Sequence, residues 1–158
     1  MVDIQENKEL KLQNLISMRK KMPQTEIEKA MISIGAFMKD NNLSKNGPVI
    51  TTTYAVEMEN NIPHIDMEIL VPIKEDKLPD DSYNFKKEFH LTNAVYARHT
   101  GNPAMLQNTY QEMMNHIKEN NKQQITTGYN VNIKEIKPGE SMDEMIMDVY
   151  IGLNPNKL

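Results

Sequence analysis

The chain has 158 residues, room for one domain and too few for two independent ones of ordinary size. Its 39% hydrophobic and 25% charged residues exclude a disordered chain, and its longest unbroken apolar stretch, residues 69–73, excludes a spanning helix, which needs about 20. With no cysteine there is no disulfide, thiolate nucleophile or cysteine-based zinc site, and a net charge of −4 with one basic cluster (Arg19, Lys20, Lys21) leaves no phosphate-tracking surface. The first ten residues carry Asp3, Glu6, Lys8 and Glu9, unlike a signal peptide. The expectation is a cytoplasmic, mildly acidic protein that binds neither nucleic acid nor membrane and carries no cofactor. Thirteen methionines, eighteen asparagines and no tryptophan are unusual; the asparagine excess reads as an AT-rich coding sequence.

In chain order, Leu10, Leu12, Ile16 and Met18 alternate with Lys11, Gln13, Ser17 and Arg19, the period of a strand. After Pro23 the rhythm becomes 3.6, with Ile27, Ala30, Met31, Ile34, Phe37 and Met38 on one helix face, and Asn41 and Asn42 as terminators. Two strands follow over 49–58 and 62–73, joined at Asn60 and Asn61. Residues 74–86 are charged, contain a proline and lack periodicity, which predicts a linker. A strand with Phe89, Leu91, Val95 and Ala97 on one side leads to a second helix after Gly101, Asn102 and Pro103. Its apolar face is Leu106, Tyr110, Met113, Met114 and Ile117, and it ends at Asn120 and Asn121. Strands over 125–136 and 142–153 complete the chain, with turns at Asn46-Gly47-Pro48 and Pro138-Gly139.

The order strand, helix, strand, strand therefore occurs twice. Sliding residues 10–42 by 79 positions matches Leu12 with Leu91, Asn14 with Asn93, Arg19 with Arg98, Lys39 with Lys118, Asn41 with Asn120 and Asn42 with Asn121. With a small gap, 52–56 falls on 127–131, and the last strands superpose 68–72 on 148–152. The predicted fold is α+β: two strand–helix–strand–strand units, residues 8–73 and 87–154 around the linker 74–86, forming an antiparallel sheet with two helices on one face and a concave cleft on the other. A cleft between repeats is where small-molecule pockets tend to sit.

This layout resembles the gyrase-inhibitor-like family, the effector-binding domain found alone or fused to bacterial transcription regulators. Residues 97–101 before the second helix, Tyr110 through Asn120 within it, and the strand ends 67–72 and 147–151 resemble family segments. Asp148 stands where the family has Glu, Gly152 where it has Pro, and the Pro-Tyr usual after the turn glycine is absent. The resemblance implies a stand-alone small-molecule-binding protein of a Gram-positive bacterium, with an acidic residue at the position of Asp148 neutralising a cationic ligand.

Strand phase selects the candidate site. If Met67 and Ile69 lie under the first helix, Asp66, Glu68 and Leu70 point the other way; by the same rule Asp148, Tyr150, Tyr96 and Arg98 face away from the second. A carboxylate in an aromatic-lined cleft is costly unless a cation meets it, which suits binding of an amphipathic cation. The candidate ligand-binding residues are Glu68, Asp148, Tyr96, Tyr150, Arg98 and Phe85. Two alternatives stand beside this: the acids are solvated, or they are paired with Arg19 and Arg98. Tyr54 and Tyr129 share phase with Val56 and Val131, which places them beneath the helices. Tyr83 and Phe85, at the linker, either cover one end of the cleft or tie the linker down.

No residue is assigned a catalytic role. His64, His90, His99 and His116 show no metal-ligand spacing, so no metal site is expected. Ser17-Met18-Arg19-Lys20 fits an acyl-enzyme pattern only by chance. Helix methionines are read as core. Three functions remain: a small-molecule-binding protein, a protein-interaction or immunity-type module with a protein partner and no ligand, and a hydrolase pairing Tyr96 or Tyr150 with Glu68.

Overall fold

The computed structural model describes residues 2–156. The fold is α+β, with six antiparallel strands and two helices: β1 (Ile4–Pro23), α1 (Ile27–Asp40), β2 (Ile50–Glu59), β3 (Ile62–Pro72), β4 (Asn84–Thr100), α2 (Leu106–Glu119), β5 (Gln124–Lys134) and β6 (Ile146–Leu153). The chain divides into two compact units. The first is Leu12–Phe89; the second combines Met1–Lys11 with His90–Leu158.

In the first unit α1 buries Ile34 and Met38, with Ile27, Ala30, Met31 and Phe37 partly buried, against Ile16, Met67, Ile69, Val71 and Ile73 of the β1 and β3 region. Each fully buried side chain of this kind contributes roughly 2 kcal/mol. Pro23 ends β1 and precedes a single 3-10 turn, Gln24–Glu26, so it stands before the helix rather than in its first turn. In the second unit α2 buries Met113 and Ile117, flanked by Leu106 and Tyr110, on Val95, Ala97, Val149, Ile151 and Leu153. Met114, expected on that face, is 38% exposed because it lies at the edge of the 106–110–113–117 stripe, about 70° of helix rotation from its centre. Val2 and Ile4 join this core, and the Val2 amide donates to Glu112 Oε1 (3.3 Å). The strand thus begins six residues before the expected alternation, in a polar run that carries no period-two signal.

Both helices end alike. Asn42 and Asn121 adopt left-handed backbone (φ 56° and 54°). Leu43 N donates to Met38 O (2.8 Å) and Asn42 N to Lys39 O (3.3 Å); Lys122 N donates to Ile117 O (3.0 Å) and Asn121 N to Lys118 O (3.2 Å). These are paired Schellman caps with asparagine in the place glycine commonly takes. The preceding asparagines add side-chain caps: Asn41 Nδ2 to Phe37 O and Asn120 Nδ2 to His116 O, both 2.8 Å. Between β2 and β3, Asn60 and Asn61 have φ 52° and 62°, the backbone of a two-residue type I′ hairpin. The asparagine excess therefore has a conformational use at these positions, beyond any coding bias.

The ladders of the two units correspond, β1 to β4 at 79 positions and β3 to β6 at 80. Leu15 pairs with Pro72, Met18 with Ile69 and Arg19 with Glu68; Ala94 pairs with Gly152, Ala97 with Val149 and Arg98 with Asp148. Thr52 stands opposite Glu68 and Val131 opposite Asp148, which relates β2 to β5 by the same 79 positions and without the expected gap.

Candidate functional site

Strand alternation sends Val149 and Ile151 to the α2 core and leaves Asp148 and Tyr150 on the other face of β6. Directly across the ladder stand Arg98 and Tyr96. Arg98 holds Asp148 with both arms of its fork, Nε to Oδ1 at 2.7 Å and Nη2 to Oδ2 at 3.0 Å, while the Tyr96 hydroxyl donates to Oδ1 at 2.9 Å. Tyr96 and Tyr150 are cross-strand partners with ring centroids 5.1 Å apart, tilted by 51°. Asp148 is 6% exposed. Burial pushes both phenols above their ordinary range, and the neighbouring carboxylate adds to the shift in each. Four expected site residues, Asp148, Tyr96, Tyr150 and Arg98, thus form one cluster. Its arrangement is the pairing alternative, with Arg98 as the cation.

Glu68 sits in the other unit, 3% exposed, facing away from the α1 core. Its carboxylate takes three donors: Ser17 Oγ to Oε2 at 2.5 Å, the Tyr54 hydroxyl to Oε1 at 2.7 Å, and Lys86 Nζ, 2.6 Å from Oε2. Burial raises the Glu68 pKa, but the hydrogen bonds from Lys86, Ser17 and Tyr54 and the Lys86 charge outweigh it, leaving the group below its ordinary value. The expected pairing with Arg19 does not form. Arg19 instead makes a fork to Asp66 (Nε to Oδ1 3.2 Å, Nη2 to Oδ2 3.0 Å) and lies 3.7 Å over the Tyr54 ring.

Tyr54 was expected beneath the helix. The β2–β3 register shifts between Thr53 and Ala55, so Tyr54 is the additional residue of a bulge and turns to Glu68; Val56, expected under the helix with it, is exposed. Phe85 is not in this cluster. It packs with Tyr83 against the α1 core, Tyr83 meeting Phe37 edge-on at 4.9 Å. β4 already begins at Asn84, inside the expected linker, and the alternation that turns Phe85 to the core turns Lys86 to Glu68. Lys86 is the residue sequence reasoning missed, since Asn84-Phe85-Lys86 shows too few apolar positions to reveal a strand's phase. Ser17, whose Ser-x-x-Lys spacing is a chance match, holds Glu68.

The histidines serve local structure. His99 is buried, and since Asn102 O can only accept, Nε2 carries the proton toward it (3.0 Å) while Nδ1 meets Thr109 Oγ1 (2.8 Å). His90 meets Glu9 and His116 meets Glu6. Among the described residues no three His, Asp or Glu side chains are placed to hold a metal, and no helix is long and apolar enough to cross a membrane. A cavity of about 710 Å³ in the second unit is lined largely by amide side chains, including Asn7, Asn93, Asn121 and Gln123; none of the six expected site residues lines it.

No protein-family model matches the sequence, and no curated protein matches it. Among solved structures the chain is similar to the C-terminal domain of EcmrR, with TM-score 0.77 and 18% identity over 98% of this chain and 97% of that one. It is similar also to EcmrR in a complex with DNA (TM-score 0.75, 18% identity, 97% of this chain), where it spans only 57% of the EcmrR chain. A hydrolase from Listeria innocua matches with TM-score 0.59 and 9% identity over 94% of this chain and 92% of that one. SAV2435, solved bound to tetraphenylphosphonium, matches with TM-score 0.50 and 9% identity over 98% and 94%. At these identities the shared property is the fold, which is the one the strand and helix pattern predicts.

Proposed function

We propose that the chain is a small-molecule-binding domain whose ligand is a hydrophobic cation neutralised at Glu68. The observation that carries this reading is a buried carboxylate whose neutralising charge comes from a flexible lysine rather than from its cross-strand arginine. Ser17 and Tyr54 orient the carboxylate, and the guanidinium over Tyr54 marks that ring as a surface that accepts a cation. Asp148 with Tyr96 and Tyr150 is the second candidate subsite; its bidentate arginine makes it the harder one to open. Fold likeness to a protein solved with tetraphenylphosphonium supports the choice of probe.

The test is thermal stability with tetraphenylphosphonium and with tetraphenylborate, which has the same shape and the opposite charge. A ligand at 100 times its Kd adds about 2.7 kcal/mol. Stabilisation by the cation alone, lost in Glu68→Gln, is the expected result. Equal stabilisation by both ions, or stabilisation unchanged in both Glu68→Gln and Asp148→Asn, overturns it.

A second reading, docking of a protein partner, is favoured by exposed Val56, Met58 and Ile62 on the β2–β3 hairpin. It predicts no stabilisation by either ion in a chain that melts cooperatively. The hydrolase reading, which pairs Tyr96 or Tyr150 with Glu68, fits less well: the Tyr96 hydroxyl donates to Asp148, and the phenol on Glu68 is that of Tyr54.

A further inference from the structure

We infer that Lys86 is an internal stand-in for the ligand's cation, occupying the charge position on Glu68 until a ligand replaces it. The inference rests on the binding reading above and names the residue that sets which ligands bind and how tightly.

Each partner of Glu68 differs in how readily it can leave. Ser17 is buried on β1 and fixed by the β1–β3 ladder. Tyr54 is held in its bulge beneath the Arg19 guanidinium. Lys86 arrives from the start of β4 with its side chain 40% exposed and its ammonium within hydrogen-bond reach of one carboxylate oxygen. A lysine is a point charge on a four-carbon stem; it can swing into water and regain full hydration, whereas an arginine fork must break two aligned bonds at once. Asp148 shows that contrast within the same chain, since its cross-strand arginine does take it bidentately.

Exchange of Lys86 for a ligand ammonium or phosphonium leaves Glu68 neutralised throughout. A neutral ligand would strand the carboxylate in a buried site, and an anion would add a second negative charge. Lys86 thereby selects for a monovalent cation and competes with it.

Lys86→Met keeps the stem and removes the charge. Tetraphenylphosphonium binding, measured by calorimetry on the full chain, is expected to tighten at least tenfold in Lys86→Met and to weaken in Lys86→Arg. Lys87→Met, an exposed neighbour, should bind as the wild type does. If the wild type binds in a Glu68-dependent manner but Lys86→Met binds no more tightly, the Lys86 inference fails and the binding reading stands. If neither wild type nor Lys86→Met binds, both fail. Should Lys86→Met not fold, side-chain ammonium NMR of the wild type decides: the Lys86 signal must shift toward that of a solvated lysine as the cation is added, and an unmoved signal under saturating ligand overturns the inference.

Discussion

Arg19 stands directly across the β1–β3 ladder from Glu68, yet its guanidinium binds Asp66. At the matching place in the β4–β6 ladder Arg98 binds its cross-strand partner Asp148. The difference traces to one position. Asp66 lies across from Lys21, and the residue in its place in the other unit, across from Thr100, is the apolar Ile146, which offers Arg98 no competing carboxylate. One acid diverts one arginine, and Glu68 is left to Lys86.

The two arginine pairs should differ in their contribution to stability. Asp148 is buried, and Arg98→Ala leaves that carboxylate without its ion partner; we expect a loss of about 2 kcal/mol in urea unfolding, below the full cost of breaking a buried pair because Arg98 is half exposed. Asp66→Asn breaks a pair in which Arg19 is 53% exposed and should cost less than about 1 kcal/mol. Equal losses would show that Asp148 is better hydrated than its burial implies.

Glu68 ties stability to acid pH. Its folded pKa lies below the ordinary glutamate value of 4.5, so the unfolded chain binds the proton more readily. Its contribution is therefore fully present above the unfolded value and is lost as pH falls through the folded one. The stability difference between wild type and Glu68→Gln should be constant from neutral pH down to about pH 5 and shrink below it. A difference that stays constant down to pH 2 would contradict the assignment.

Gly128 makes room for a ring. A Cβ at this position would overlap the Tyr110 hydroxyl and ring edge, and the hydroxyl itself donates to Asn130 Oδ1 at 2.5 Å. Gly128→Ala should cost about 2 kcal/mol, while Tyr110→Leu combined with it should cost less than the sum of the two single changes, because both act on one space. Burial pushes the Tyr110 phenol up to about 12, so its ultraviolet titration should run later than that of free tyrosine.

The hairpin at Asn60 and Asn61 needs left-handed backbone at both residues. Asn61→Ala should destabilise by about 1 kcal/mol, and Asn61→Gly by far less, as read by thermal unfolding. Equal losses would place the cost in a side-chain contact of Asn61 instead of in its φ.

Where periodicity held, the sequence was legible. The stripes 27–38 and 106–117 give both helices, and the phase of β3, β4 and β6 places Glu68, Asp148, Tyr96, Tyr150 and Arg98 on faces turned from the helices. Where the period breaks, it was not. The bulge at Tyr54 breaks the phase that ring would share with Val56, and no pattern in Thr52-Thr53-Tyr54 announces it. Lys86 was hidden in a charged segment whose last three residues already belong to β4. Strand phase puts Asp66 on the face of Glu68, but which of two nearby carboxylates an arginine will choose depends on register and reach, not on residue type.

All six non-glycine residues with left-handed φ among those described are asparagine: Asn7, Asn14, Asn42, Asn60, Asn61 and Asn121. Glycine would adopt these angles without steric cost, but it would also give the unfolded chain more freedom to lose on folding. Asparagine tolerates the same angles while keeping the denatured chain stiffer. With only six glycines in 158 residues, this protein lowers the entropy of its unfolded ensemble at its helix ends and its β2–β3 turn, so part of its stability resides in a state where none of its native contacts exists.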